Sequence, residues 1–249
     1  MQSKPYIIRM TVNETLQHAT IAISFIVLVV SGFSLRFSEA WWVQILFGWG
    51  EGEGFLIRGT VHRTAGVILM LSCVWHLLFL LTRRGRVVFR DMLPTLSDLN
   101  HVKENILYFL GRRDTSPRFK RFSYMEKAEY FALIWGSILM AVTGTLLWFD
   151  DFFVGLGLPK GLLDVALIIH YYEAWLAFLA ILVWHGYAVL FAPNVYPMNP
   201  AWISGKMPKE MYSHEHPDAA KLKARAFRKV RYEEEVEEGE ERVGPARLP

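Results

Sequence analysis

The chain has 249 residues, 53% of them hydrophobic, with a mean hydropathy of +0.22 and a formal net charge of +3. That is too apolar for an ordinary soluble domain, and a charge so near neutral points to no nucleic-acid partner. Cys73 is the only cysteine, which excludes a disulfide framework, a cysteine-held iron–sulfur cluster and a covalent CxxCH haem attachment.

Four windows run without a charge: 15–35, 64–82, 130–149 and 174–193. Each reaches the roughly 18 residues that mark a membrane span. Backbone groups in lipid must satisfy one another, so the windows predict helices. The expected fold is an all-α integral membrane protein with four transmembrane helices at about 15–37, 58–82, 127–149 and 164–192. They form one domain over residues 1–205, and 206–249 is a charged cytoplasmic tail. The first window is too long for a cleaved signal peptide and ends in "LRF". No internal repeat is evident.

Between the first and second windows, "EAWWVQILFGWGEGEGF" is rich in tryptophan and glycine. It reads as an aromatic belt at the headgroups, or as a docking surface for a partner subunit. Between the second and third lie Arg83, Arg84, Arg86, Arg90, Lys103, Arg112, Arg113, Arg118, Lys120 and Arg121, and the N-terminus adds Lys4 and Arg9. The other two connections are acidic, with Glu39, Glu51, Glu53, Asp150 and Asp151. The positive-inside rule then places both termini and the central loop in the cytoplasm. In that loop "LSDLNHVKENILYFLG" has helical apolar spacing and is expected to lie along the interface. The final "KLKARAFRKVRYEEEVEEGEER" is expected to be a solvated helix.

Histidines stand out in this apolar background. His62 and His76 are fourteen positions apart on the second span, and His170 and His185 fifteen apart on the fourth. At about 1.5 Å rise and 3.6 residues per turn, fourteen residues return to nearly one face roughly 21 Å further along. Both spans start on the periplasmic side, so His62 is level with His170 and His76 with His185. Facing imidazoles at two depths suit two bis-histidine haems, one toward each leaflet. His18 of the first span lies level with His76 and His185, so either His18 or His76 pairs with His185 and the other supports it. Gly66, one turn beyond His62, reads as clearance for a porphyrin, as do Gly32, Gly136 and Gly144. Taken singly, such histidines also serve as packing or proton-relay residues. Arg36, Arg58 and Arg63 at one end, and Arg83 and Arg84 at the other, read as propionate partners or as snorkelling helix-end residues. Glu173 is expected near the surface without a role, and His101, His214 and His216 are expected on polar surfaces.

"LQHATIAISFIVLVVSGFSL" resembles the first helix of the cytochrome b (gamma) subunits of membrane-bound formate dehydrogenases and nickel–iron hydrogenases, with His18, Ser31 and Gly32 in place. "HRTAG" is similar to the family's second-helix start, and "IIHYYEAWLAFLAILVWHGY" to its fourth helix; "ISGKMPKEMYSHEHP" resembles the segment that follows. The resemblance covers about residues 9–220. It implies His62 and His170 as ligands of one haem b, and His18 with His185 for the other. A His76–His185 pair instead resembles the cytochrome b of quinol-oxidising bc-type complexes, and the fifteen-residue spacing on the fourth helix departs from the family.

The resemblance further implies an electron-transfer subunit of the bacterial or archaeal cytoplasmic membrane. Its partner is a set of periplasmic oxidoreductase subunits with iron–sulfur, molybdenum or nickel centres, or a multihaem cytochrome c. Its exchange carrier is menaquinone or ubiquinone, at a site beside the cytoplasmic haem. In "FSYMEKAEY", Ser123 and Tyr124 are candidates to hydrogen-bond the quinone, and Glu126 or Glu129 to exchange its protons. Carboxylates there are also ordinary helix N-terminal residues. The competing reading is a haem-free anchor or proton-relay subunit; a transporter lacks support from broken helices or repeat symmetry.

Overall fold

The computed structural model describes residues 6–47, 53–193 and 195–219. The glutamate-rich end of the tail and part of the first tryptophan-rich connection lie outside the described residues. The chain forms two compact units. One comprises Tyr6–Leu93 with Lys127–Met207, and the other Pro94–Glu126 with the chain from Pro208 on.

In the first unit, β1 (Tyr6–Ile8) leads into α1 (Val12–Arg36), then α2 (Trp41–Phe47), α3 (Glu53–Leu80) and α4 (Arg83–Met92). After α5 (Leu96–Phe109), which belongs to the second unit, come α6 (Tyr124–Trp148), α7 (Asp150–Gly155) and α8 (Lys160–Leu179). The fourth long helix continues from α8 as π-helical turns over Ala180–His185 and Tyr187–Phe191. α1, α3, α6 and the Lys160–Phe191 helix are long and apolar enough to cross a membrane. Short α9 (Ala201–Ser204) is followed by β2 (Lys206–Pro208), which pairs with β1, and α10 (Lys209–Glu215). The two-stranded sheet is a small departure from an all-α fold.

Every span begins upstream of its charge-free window, because charged residues sit in its first turns. At α1, Thr11 and Glu14 form a capping box: the Thr11 N–H and hydroxyl donate to Glu14 Oε2 at 2.7 and 2.6 Å. Arg84 of α4 donates to the same oxygen at 2.9 Å from Nε and 2.6 Å from Nη2, which ties α4 to the start of α1. This ion pair gives Arg84 a protein partner. Gly205 closes α9 with a left-handed φ of 70°. Its carbonyl accepts from Arg9 N and Met10 N at 2.8 and 3.1 Å, holding the end of α9 beside the entrance to α1.

The packing is inverted relative to a water-soluble bundle. Ile23, Leu71, Ile138 and Leu182 face outward, while Gln17, Ser24, Ser31, Ser34, Ser72 and Thr143 are buried. Lipid supplies no hydrophobic drive for helix association, so small and polar residues make the seams. α1 and α3 form the closest pair. Their buried residues recur at heptad steps: Gln17, Ser24 and Ser31 on α1, and Arg58, Ala65, Ser72 and Phe79 on α3. α1 meets α8 through Phe33, whose ring lies 4.6 Å from Trp175 and 5.3 Å from Phe178.

The second unit is stitched by polar contacts. Thr95 and Asp98 cap α5, Arg113 pairs with Glu104 at 2.8 Å, and Arg118 with Asp218 at 3.2 Å.

Ala65 is buried in the α1–α3 seam, at 4% exposure. Ala65→Leu is expected to destabilise the detergent-solubilised protein by about 1–3 kcal/mol, read as a lowered thermal midpoint. Leu71→Ala, on the outward face of the same helix, is expected to stay within about 0.5 kcal/mol of the parent.

Candidate haem-binding site

Four of the five intramembrane histidines stand in facing pairs. The ring centroids of His62 on α3 and His170 on α8 are 6.2 Å apart. Those of His18 on α1 and His185 at the end of the π-helical turn are 6.4 Å apart. Two imidazoles that would share one metal, each through a bond of about 2 Å, need ring centroids roughly 6 Å apart. Both pairs have that spacing, and the His18 Nδ1 is buried with no hydrogen-bond partner.

The His62–His170 pair is held in one protonation geometry by two hydroxyls. Ser31 lies 3.1 Å from His62 Nδ1 and Thr143 2.9 Å from His170 Nδ1. A hydroxyl has one proton, and each spends it on its own helix: Ser31 donates to the Val27 carbonyl and Thr143 to the Leu139 carbonyl, both at 2.6 Å. The oxygens therefore accept from Nδ1–H, and the Nε2 lone pair of each imidazole is left for a metal.

The residue after each hydroxyl is glycine, for a steric reason. A Cβ on Gly32 would stand 3.1 Å from His62 Cε1, and one on Gly144 3.3 Å from His170 Cε1. These glycines make room for the imidazoles. A Cβ on Gly66 would meet Leu28 of α1 at an ordinary 3.9 Å. Gly136 lies against Glu173, whose Oε1 would be 2.7 Å from an added Cβ. Glu173, half-exposed, thus lays its carboxyl against α6.

At the other end His185 Nδ1 lies 2.9 Å from Glu129 Oε2. A carboxylate only accepts, so Nδ1 carries the proton here too. His76 is placed differently. Its Nδ1 lies 2.8 Å from Gln17 Oε1 and its Nε2 2.9 Å from the Tyr130 hydroxyl, so both ring nitrogens are engaged by protein.

These contacts disclose a repeat that residue identity conceals. Gln17, Ser31 and Gly32 on α1 correspond to Glu129, Thr143 and Gly144 on α6, each acceptor pair fourteen positions apart. His62 and His76 on α3 correspond to His170 and His185 on the fourth helix. The fifteen-residue spacing there has a physical source, because the π-helical turn over Ala180–His185 inserts one extra residue. His18 and Tyr130 are the remaining corresponding pair, each following its acceptor.

Arg58, one turn from His62, is 3% exposed; its guanidinium lies over Phe55 at 5.9 Å and its Nε has no hydrogen-bond partner. Arg63 lies over Trp148 at 5.5 Å and Arg36 over Tyr171 at 5.6 Å. In the second unit, Ser123 and Glu126 form a capping box, with Ser123 N and Oγ donating to Glu126 Oε2 at 2.7 and 2.9 Å. The Tyr124 hydroxyl accepts from Asn105 Nδ2 at 2.8 Å. His101 packs edge-on to Phe119, and His214 is exposed. His216 is buried against Tyr212, a correction to its expected surface position. Among the described residues no three His, Cys, Asp or Glu gather around a bare metal ion. The donor set is paired imidazoles, which suits a planar metal cofactor.

Sequence comparison agrees with that chemistry. The formate dehydrogenase cytochrome b556(fdo) subunits of Escherichia coli strains K12, O6:H1 and O157:H7 are each 23% identical to this chain over 211 residues, 84% of it and 92% of the relative. A family model described as prokaryotic cytochrome b561 matches residues 9–198. With four membrane-crossing helices and imidazole pairs between them, the chain belongs to the prokaryotic cytochrome b561 family: a multi-pass inner-membrane cytochrome b that carries haem b and transfers electrons.

Proposed function

We propose that the chain is a dihaem subunit that anchors a respiratory oxidoreductase to the membrane and passes electrons between a periplasmic redox partner and the quinone pool. His62 and His170 hold one haem b, and His18 and His185 hold the other. The observation that carries this assignment is the pair of imidazole separations, 6.2 and 6.4 Å. His76 is the supporting residue rather than a ligand, since Gln17 and Tyr130 occupy both its nitrogens. Haem b supplies a one-electron iron couple when bound.

The chain's own residues orient the ligands and keep water away. Ser31 and Thr143 hold Nδ1–H, Gly32 and Gly144 admit the rings, and outward-facing Ile and Leu side chains meet lipid. Arg58, buried with an unsatisfied Nε, is suited to an anionic propionate.

The basic loop between the second and third spans supports cytoplasmic termini. The name shared by the relatives supports a catalytic partner of formate dehydrogenase type; iron–sulfur and molybdenum centres in that partner are what the sequence resemblance implies. A nickel enzyme or a multihaem cytochrome c is the alternative donor. Menaquinone or ubiquinone is proposed to exchange electrons at the cytoplasmic end, with Ser123, Tyr124 and Glu126 as candidate contacts. Glu126 already caps α6 through Ser123, which supports a structural duty for that carboxylate.

Two measurements test the assignment. In reduced-minus-oxidised spectra with haem quantified per chain, His62→Ala and His170→Ala should each remove half of the b-type absorbance. His18→Ala and His185→Ala should each remove the other half, while His76→Ala keeps both. Full absorbance in H62A, or loss of a haem in H76A with none in H18A, would overturn it. Secondly, Thr143→Val keeps the shape but removes the Nδ1 acceptor. It should weaken haem retention at the His62–His170 site by about 10–100-fold, and Thr143→Ser should restore it.

A further inference from the structure

The acceptor on His185 differs in kind from the others. His62, His170 and His76 give their Nδ1–H to neutral oxygens of Ser31, Thr143 and Gln17. His185 alone gives it to a carboxylate, Glu129. In the repeat, Gln17 occupies the place that Glu129 occupies, and its amide serves an imidazole N–H at 2.8 Å. A neutral side chain of the same length is therefore sufficient to make this bond. A carboxylate within an apolar span is unfavourable by comparison, and among the described residues no lysine or arginine pairs with it. Neither the hydrogen bond nor the packing explains the charge.

An acceptor behind a metal-binding imidazole raises the basicity of that ring, and a carboxylate does so more than an amide or hydroxyl. A more basic ligand stabilises the oxidised metal and lowers its reduction potential. We infer that Glu129 is a positioning residue that holds His185 by Nδ1–H and, through its charge, sets the His18–His185 metal site at a lower reduction potential than it would otherwise have. This rests on the proposed ligation by His185. It makes the two ends of the bundle electrically unlike although their backbones repeat.

The test is a redox titration of the purified, haem-loaded protein at one fixed pH, with haem counted per chain. Glu129→Gln copies the acceptor that the first half of the repeat already uses. Both haems should be retained, and one redox component should move positive by about tenfold in its reduction equilibrium, ~59 mV for a one-electron couple, with the other unmoved. His185→Ala, which removes one component, identifies it as the one that moved. Glu129→Asp should shift the same component in the same direction by less, which keeps the test open if Glu129→Gln does not assemble. Two unmoved potentials in either variant would overturn the role of Glu129 while leaving the ligation intact. If instead His185→Ala kept both components, the ligand assignment itself would fall.

Discussion

A single commitment of protons organises the membrane half of this protein. Ser31 and Thr143 each spend their one hydroxyl proton on a carbonyl of their own helix, so each oxygen can only accept from an imidazole. That choice puts the proton of His62 and His170 on Nδ1 and leaves Nε2 of each ring with its lone pair free. A neutral imidazole with a free, directed lone pair is what a haem iron needs from each side. The following glycines are part of the same device, because a Cβ at either would press on the ring that the hydroxyl holds.

The same interaction explains the inverted packing. In water, serines and threonines along a helix interior would compete with the backbone and weaken it. In an apolar medium their hydroxyls are satisfied internally, and their small volume lets helices approach. The α1–α3 seam of Gln17, Ser24, Ser31, Ala65 and Ser72 therefore serves two ends. It joins the helices closely, and it carries the acceptors that hold histidines of α3. Cohesion and cofactor chemistry use one stripe of residues.

Much of this was legible in the sequence, and what was not has physical reasons. Charge-free windows located four spans, since charge is what lipid excludes most strongly. Their starts are hidden because charged residues lie inside the helices: Glu14 is held by the Thr11 cap and Arg84, and Arg58 is buried in α3. The level pairing of His62 with His170 followed from helical rise. The choice between His18 and His76 did not, because rise gives depth and says little of azimuth, while the partners of His76 come from two other helices. The repeat is hidden in the sequence because its halves use Gln for Glu, Ser for Thr and His for Tyr: equivalent hydrogen-bonding roles with different letters.

The π-helical turn carries the last step. Fourteen residues of α-helix separate His62 from His76, and a straight fourth helix with fifteen would rotate His185 by a further ~100°. The side chain would then leave the face that His170 occupies. Spreading the extra residue over a π turn absorbs that rotation, so the ring meets both His18 and Glu129. The corresponding place in the first half is closed by a direct bond between His76 and Tyr130. One half of the repeat therefore keeps a gap wide enough for a metal between imidazoles, and the other fills it with a tyrosine hydroxyl. A bundle with two equivalent halves thus presents only one imidazole pair at this depth, which is why five histidines form two facing pairs.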